Sequence, residues 1–349
     1  MKLSDFLTQI SVALKKTYEE AAFLPLSPAE LDLATNAYFA RGGKLIRPAL
    51  CLCTAAALGH KNAARRALPA ALATELFHLF TLVQDDVIDH DTLRRGAKTA
   101  HILAAEESRL SKTVRAEYGT SIAILAGDAL FSRSVELLSK AEGLSDEARL
   151  SLILRLSSRT LPLLLSGEAV DTRLGYQTQL PSEEEITTVY RNKTGVLFEF
   201  ALFAGAVCAE NGMPSEKLCA AIENAGANIG EAFQLTDDYL GLTASEEAMG
   251  KSALSDIREG KQTFFVREAY LRATEKEKLL LDATLGDEKA PIGAVRAVRD
   301  ILLSYGKEGY EKKKQAAREN AQMLLDCLEE SEAKTLLSEI FDLMICREN

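Results

Sequence analysis

Between Ala67 and Asp89 the chain is apolar on nearly every side of a helical wheel, the pattern of a helix buried inside a bundle rather than one lying on its surface. A second apolar stretch of helical length runs from Ala221 to Leu235. The first twenty residues instead space their apolar positions at helical intervals among polar ones, which predicts an amphipathic helix. No proline falls between Pro69 and Pro162, and the intervening residues are rich in Ala, Leu, Glu, Lys and Arg, the strong helix formers. Pro25, Pro28, Pro48, Pro69, Pro162, Pro181, Pro214 and Pro291 divide the chain into blocks of helix or helix-hairpin length. Strand-like alternation with Asn-Gly or Asp-Gly turns is nearly absent. Ser27-Pro28-Ala29-Glu30 and Pro181-Ser182-Glu183-Glu184-Glu185 each join a cap residue to following acids, so helices are expected to start near 28 and 183. The expectation is an all-α chain, a single large helical bundle of about ten or more helices over residues 1–349. No linker, low-complexity tract or fixed-period repeat argues otherwise.

Composition narrows the function classes. The 349 residues carry 41 Lys+Arg against 51 Asp+Glu, a net charge of −10, and 47% are hydrophobic. Such a chain can build a core, so disorder is excluded. It lacks the overall positive field that draws proteins to nucleic acid or anionic membranes, so neither partner is expected and any anionic ligand needs a local explanation. Cys51, Cys53, Cys208, Cys219, Cys327 and Cys346 show no CxxC spacing and read as reduced thiols. Uninterrupted apolar runs such as 122–126 and 161–165 fall far short of the about 20 residues a membrane span needs. The N-terminal segment, with Asp5, lacks the apolar stretch of a signal peptide. No membrane span and a cytoplasmic location are expected.

The apolar helix of 67–89 closes on Asp85-Asp86-Val87-Ile88-Asp89-His90-Asp91. Asp85 and Asp89 are one turn apart and share a face, while Asp86 is offset by about 100°. Acids at a helix C-terminus oppose the helix dipole, and a divalent cation would relieve both that penalty and their mutual repulsion. A second doublet, Asp237-Asp238, follows the apolar stretch 221–235. Oxygen-only ligands without His or Cys spacing point to Mg²⁺, with Mn²⁺ as the alternative, and Mg²⁺ completes its shell with water and substrate phosphates. The acids therefore predict a phosphorylated substrate.

Cations follow each doublet at short range: Arg94-Arg95-Gly96 after the first, and Gly250-Lys251 with Lys261 after the second. Upstream, Arg41-Gly42-Gly43-Lys44-Leu45-Ile46-Arg47-Pro48 joins two glycines to Lys and Arg donors suited to diphosphate oxygens. The Walker pattern is absent, so this is not a nucleotide P-loop.

In order, the chain carries GGKLIRP (42–48), ELFH (75–78), DDVID (85–89), RRG (94–96), GD (127–128), GEAVD (167–171), KTG (193–195), FQLTDD (233–238), GK (250–251) and SDIREGKQT (255–263). This series, covering nearly the whole chain with a core at about 41–263, resembles the trans-isoprenyl diphosphate synthases, or polyprenyl synthetases. The resemblance implies helices around a central apolar channel, usually in a homodimer, and condensation of isopentenyl diphosphate with an allylic diphosphate. It implies that Asp85, Asp86, Asp89, Asp237 and Asp238 hold about three Mg²⁺ ions on the allylic diphosphate. Arg94, Lys193, Lys251 and Lys261 would contact the same diphosphate, and Thr194 and Gln234 would offer mild oxygen dipoles to the allylic cation. Gly43, Lys44, Arg47, His78 and Arg95 would bind isopentenyl diphosphate. Asp128 and Asp171 more simply brace other side chains. Three positions depart from the family pattern: Leu45 where a basic residue is frequent, Lys98 where Pro is common, and Gly241 in place of the last Asp of the second motif.

Within the resemblance, bulky residues upstream of the first motif set product length. Phe80 lies about 7.5 Å and Phe77 about 12 Å down the helix from Asp85, while Thr81 is small. One Phe five positions before the motif points to geranylgeranyl diphosphate, with farnesyl diphosphate second. Two other readings share some of these features. A class I terpene cyclase would replace the second doublet by an Asn/Ser/Glu motif and lack GGKxxRP and RRG. A non-catalytic regulatory subunit would be expected to have lost ligands that this chain keeps.

Overall fold

The structure is a computed structural model and describes residues 1–177, 179–243 and 254–346. As expected, it is all-α. The helices are α1 (Leu3–Glu20), α2 (Ala29–Arg41), α3 (Ile46–Ala57), α4 (Ala63–Ile88), α5 (Ala100–Glu107), α6 (Lys112–Ser139), α7 (Asp146–Arg155), α8 (Leu161–Tyr176), α9 (Glu183–Val189), α10 (Val196–Glu210), α11 (Glu216–Thr243), α12 (Ser255–Glu259), α13 (Phe264–Arg272), α14 (Glu275–Thr284), α15 (Ile292–Leu325) and α16 (Glu332–Ile345). Two π-helical turns, Leu156–Thr160 and Tyr190–Gly195, interrupt the α-helical course. Contacts divide the chain into two compact units.

The first unit comprises Met1–Ser157, Phe200–Ser215 and Leu328–Leu337. Its central helix is α4, which packs on α3 and α6 and buries Ala67, Ala70 to Phe77, Leu79, Phe80 and Val83. That burial on all sides outweighs the backbone hydrogen bond lost at Pro69, which lies inside α4 instead of dividing the chain. Ser27 does not cap α2: Pro28 holds the N-cap position and no side-chain cap bond forms. One element escaped the sequence reading, a minimal hairpin of β1 (Leu93–Arg94) and β2 (Ala97–Lys98). Its two turn residues, Arg95 (φ 54°) and Gly96 (φ 74°), are both left-handed, the geometry that matches the twist of a two-residue hairpin.

The second unit comprises Ser158–Glu199, Glu216–Cys327 and Ser338–Asn349 among its described residues. Here Ser182 caps α9 in a full capping box with Glu185, as the sequence predicts. Helix α11 packs on α15 and on the π turn Tyr190–Gly195. It runs through the second acidic doublet to Thr243, so those acids sit within a helix and do not close one. A Cβ at Gly230 would collide with the Gly195 backbone, and one at Gly226 would lie 2.6 Å from the Glu199 Cα. Gly230 thus lets the π turn lie directly on α11, and Gly226 does the same for the start of α10. Among the described residues, two stretches, Ala63–Ile88 and Glu183–Glu210, are long and apolar enough to cross a membrane, but 67% and 89% of their most apolar windows are buried inside the protein.

Candidate active site

The first acidic turn is the C-terminal end of α4. Asp86 is fully buried, Asp85 half-buried and Asp89 exposed at the C-cap, where its N–H donates to the Asp85 carbonyl at 2.8 Å. Both oxygens of Asp86 are engaged: the Tyr38 hydroxyl donates to Oδ2 and Arg94 Nε to Oδ1. Arg94 Nη2 also donates to Asp85 Oδ2 at 3.0 Å, so one guanidinium bridges the doublet from the hairpin. Burial pushes the Asp86 carboxyl above the usual range, with Asp85 adding to it, against the pull of Tyr38 and Arg94.

The left-handed turn after Arg94 sends the Arg95 side chain to the Gly42-Gly43 loop instead of to the acids. Its Nη1 donates to the Gly42 carbonyl, and a Cβ at Gly43 would lie 2.6 Å from that nitrogen. The missing side chain at Gly43 thus leaves room for the Arg95 guanidinium. Arg47 Nη1 contacts His78 Nε2 at 3.2 Å. Arg47 can only donate, so Nε2 accepts and the proton sits on Nδ1, a buried atom with no hydrogen-bond partner among the described residues. Burial, with Arg47, Arg95 and Arg94 nearby, drives the His78 pKa well below the usual value, so the ring is neutral. Burial lowers Arg47 to about 10, and Glu75, itself buried, opposes that shift. Glu75 is a counter-ion that the sequence reading left without a role. Lys44 is exposed on the same loop.

In the second unit the π turn Tyr190–Gly195 carries Lys193 and Thr194. A Cβ at Gly167 would lie 2.5 Å from the Lys193 backbone nitrogen, so α8 presses on this turn. Lys193 Nζ donates to Asp171 Oδ2 at 2.7 Å and lies 3.0 Å from Glu168, which gives Asp171 its bracing role. Thr194 Oγ1 donates to Gln234 Oε1 at 3.2 Å, and Gln234 Nε2 to Asp238 Oδ1 at 3.4 Å. The Tyr190 hydroxyl takes the other Asp238 oxygen. Burial raises the Asp238 carboxyl to about 7, with Asp256 and Asp237 adding to it, against the hydrogen bonds from Tyr190 and Gln234. Lys261 Nζ pairs with Asp256 Oδ1 at 2.9 Å. Lys251 lies outside the described residues.

The polyprenyl synthetase family model matches residues 28–302. The chain belongs to the polyprenyl synthetase family. It is 34% identical over 334 residues to a geranylgeranyl diphosphate synthase of Methanosarcina mazei, covering 93% of this chain and 92% of that one. Among solved structures, geranylgeranyl pyrophosphate synthetase of Pyrococcus horikoshii superposes with a TM-score of 0.82 at 29% identity, over 99% of this chain and 98% of that one. A geranylgeranyl pyrophosphate synthase of Corynebacterium glutamicum, complexed with isoprenyl diphosphate and magnesium, gives a TM-score of 0.81 at 26% identity over 100% of both chains. Family membership makes the protein a prenyl-chain-elongating enzyme.

As a polyprenyl synthetase, the protein is expected to use a divalent cation, and its donors fit one of a particular kind. Among the described residues, no three His, Cys, Asp or Glu side chains gather into a protein-only metal cage. Carboxylates presented singly or in pairs suit Mg²⁺, which keeps several waters and takes substrate phosphate oxygens.

In this polyprenyl synthetase Phe131 and Asp256 join positions that the sequence already singles out. Phe77 and Phe80 stack edgewise at 5.4 Å, and Phe131 of α6 joins them with ring centroids at 5.9 and 5.8 Å. Thr81 is half-buried and its hydroxyl donates to the His78 carbonyl at 2.8 Å. Gly241, where the family often has Asp, is buried, and a Cβ there would lie 2.7 Å from Asp256 Oδ2. A carboxylate from α12 therefore lies beside the position of the missing acid. Restoring the family residue with Gly241→Asp is expected to set two carboxylates against each other, lower the melting temperature by a few degrees and give no gain in turnover. Thermal unfolding and a steady-state assay of the purified variant check this, and higher turnover would count against the account.

Proposed function

We propose that this prenyltransferase condenses isopentenyl diphosphate head-to-tail with an allylic diphosphate (dimethylallyl, geranyl or farnesyl), releasing diphosphate, and that its main product is geranylgeranyl diphosphate, with farnesyl diphosphate second. The observation that carries this reading is that each unit holds an acidic doublet tied by hydrogen-bond donors from elsewhere in the chain, Asp85 and Asp86 by Arg94 and Tyr38, and Asp238 of the second doublet by Gln234 and Tyr190, while Lys193 from the same π turn as Tyr190 is held by Asp171 and Glu168. The reading takes the two units as one catalytic domain in a cytoplasmic homodimer. None of the six cysteines is in a disulfide, which suits a reducing compartment. Ile124, Leu125, Leu150 and Leu154 stand exposed on α6 and α7 and support a partner chain.

Asp85, Asp89 and Asp237 would be the principal ligands of about three Mg²⁺ ions on the allylic diphosphate, with Asp86 and Asp238 beside them. Bound there, Mg²⁺ neutralises charge that builds on the diphosphate as it departs. Arg94 and Lys193, with Lys251 and Lys261, which follow the second doublet in the sequence, would steady the same oxygens as point charges. Thr194 and Gln234 present oxygens of low nucleophilicity to the allylic cation, which stabilises it without capturing it. The isopentenyl diphosphate would sit on Gly43, Lys44, Arg47, Arg95 and neutral His78, whose Nδ1–H is a buried donor suited to a phosphate oxygen. The bond to the allylic diphosphate oxygen breaks, the isopentenyl double bond forms the new carbon–carbon bond, and the released diphosphate takes the proton that restores the double bond.

Incubation with Mg²⁺, isopentenyl diphosphate and each of the three primers tests the reaction. Condensation is expected with at least one, and Asp85→Ala or Asp237→Ala should cut turnover by about a hundredfold or more while the circular dichroism stays helical. Condensation with no primer would favour the regulatory-subunit reading, cyclic hydrocarbon products the cyclase reading. For product length, Phe80→Ala is expected to lengthen the products, and Phe80→Ala with Phe131→Ala to lengthen them further. Wild-type products of thirty or more carbons, or unchanged products in the double variant, would remove the aromatic floor from the account.

A further inference from the structure

The same three-part hydrogen-bond chain occurs twice. In the first unit, the backbone N–H of Ala100, at the start of α5, donates to the Tyr38 hydroxyl at 3.1 Å, and that hydroxyl donates to Asp86. In the second, the N–H of Phe264, at the start of α13, donates to the Tyr190 hydroxyl at 3.2 Å, and that hydroxyl donates to Asp238. Tyrosine and aspartate are 48 residues apart in both cases. In both, the acid is the second of its doublet, and the helix whose first N–H is used is the one that follows the basic loop: the Arg94-Arg95 hairpin before Ala100, and the Lys261 segment before Phe264. Tyr38 and Tyr190 are themselves buried.

We infer that Tyr38 and Tyr190 are positioning residues for metal binding, each tying an acidic turn to the helix that ends its basic loop so that the first aspartate of the doublet and the nearby cations keep a fixed relation. This rests on the prenyltransferase reading above. A phenol has one donor and can accept, so one oxygen links an N–H to a carboxylate and leaves neither buried group unsatisfied. Its neutrality matters as much. At Asp238, whose oxygens take only the neutral donors Tyr190 and Gln234, a Lys or Arg in the place of the phenol would satisfy the carboxylate and also cancel negative charge that a divalent cation needs; at Asp86 the phenol adds no second positive charge to that of Arg94. The pinned acid, Asp86 or Asp238, holds the turn, and its neighbour, Asp85 or Asp237, is carried on that turn toward the ligand.

The test compares wild type with Tyr38→Phe and Tyr190→Phe, which keep the ring and remove only the hydroxyl. Titration calorimetry reads Mg²⁺-dependent binding of inorganic diphosphate, thermal unfolding without Mg²⁺ reads stability, and initial rates give KM for isopentenyl diphosphate. Each variant is expected to bind Mg²⁺ and diphosphate about tenfold more weakly or worse, with the KM for isopentenyl diphosphate within about twofold of wild type. A merely structural hydroxyl would lower the melting temperature and leave diphosphate binding unchanged, and that result in both variants would overturn the inference alone. Failure of the wild type to bind diphosphate with Mg²⁺ and to condense any primer would overturn the prenyltransferase reading, and this inference with it.

Discussion

Placing a carboxylate inside an apolar helix bundle is unfavourable unless its oxygens are hydrogen-bonded, and here phenols from other helices, Tyr38 and Tyr190, are donors common to both doublets. Much of the local architecture follows from that constraint. Helix α4 can be apolar all round and still end in acids because Asp86 is satisfied by Tyr38 and Arg94 rather than by water. The hairpin that delivers Arg94 is short and tightly turned, so its second arginine falls on the opposite side, against the Gly42-Gly43 loop. One two-residue turn thereby divides two adjacent cations between two tasks.

The second unit reaches the same end by a different backbone device. A π turn widens the helix at Tyr190–Gly195, and glycines on both sides allow it to lie on α11 without intervening side chains. From within a single segment the widened turn brings Tyr190 to Asp238, Thr194 to Gln234 and Lys193 to Asp171 of α8. Extra-residue turns inside helices recur where side chains must be aimed at a ligand. In a chain of net charge −10, Arg47, Arg94 and Arg95 still gather beside the Gly42-Gly43 loop and the first doublet, and Lys193 stands in the second unit, each held by a neighbouring group.

The helical class, the course of α4 and the capping box at Ser182 were legible in the sequence because they rest on local pattern: all-round apolarity, a Ser followed three residues later by Glu. The doublets were legible because paired acids after an apolar run are costly and therefore informative. Tyr38, Tyr190, Glu75 and Phe131 were not, since each acts on residues far along the chain, 48 away for the two tyrosines, and none stands in an unusual local context. Proline misled in the opposite direction. Pro69 looks like a boundary yet lies within α4, where dense packing outweighs one missing N–H, whereas Pro48 falls in the first turn of α3, where that N–H has no helical partner to lose. The place of Asp256 beside Gly241 could be found only in three dimensions, although the missing motif acid marked where to look.

The central claim is that the first acid of each doublet meets the metal while the second is held by its tyrosine. Crystals grown with Mn²⁺ and inorganic diphosphate, measured for Mn²⁺ anomalous scattering, test it directly. The account predicts anomalous peaks bonded to Asp85, Asp89 and Asp237, with Tyr38 and Tyr190 still donating to Asp86 and Asp238. Bound diphosphate with Mn²⁺ absent from either acidic turn, or with Asp86 and Asp238 released from their tyrosines to become the ligands, would contradict it.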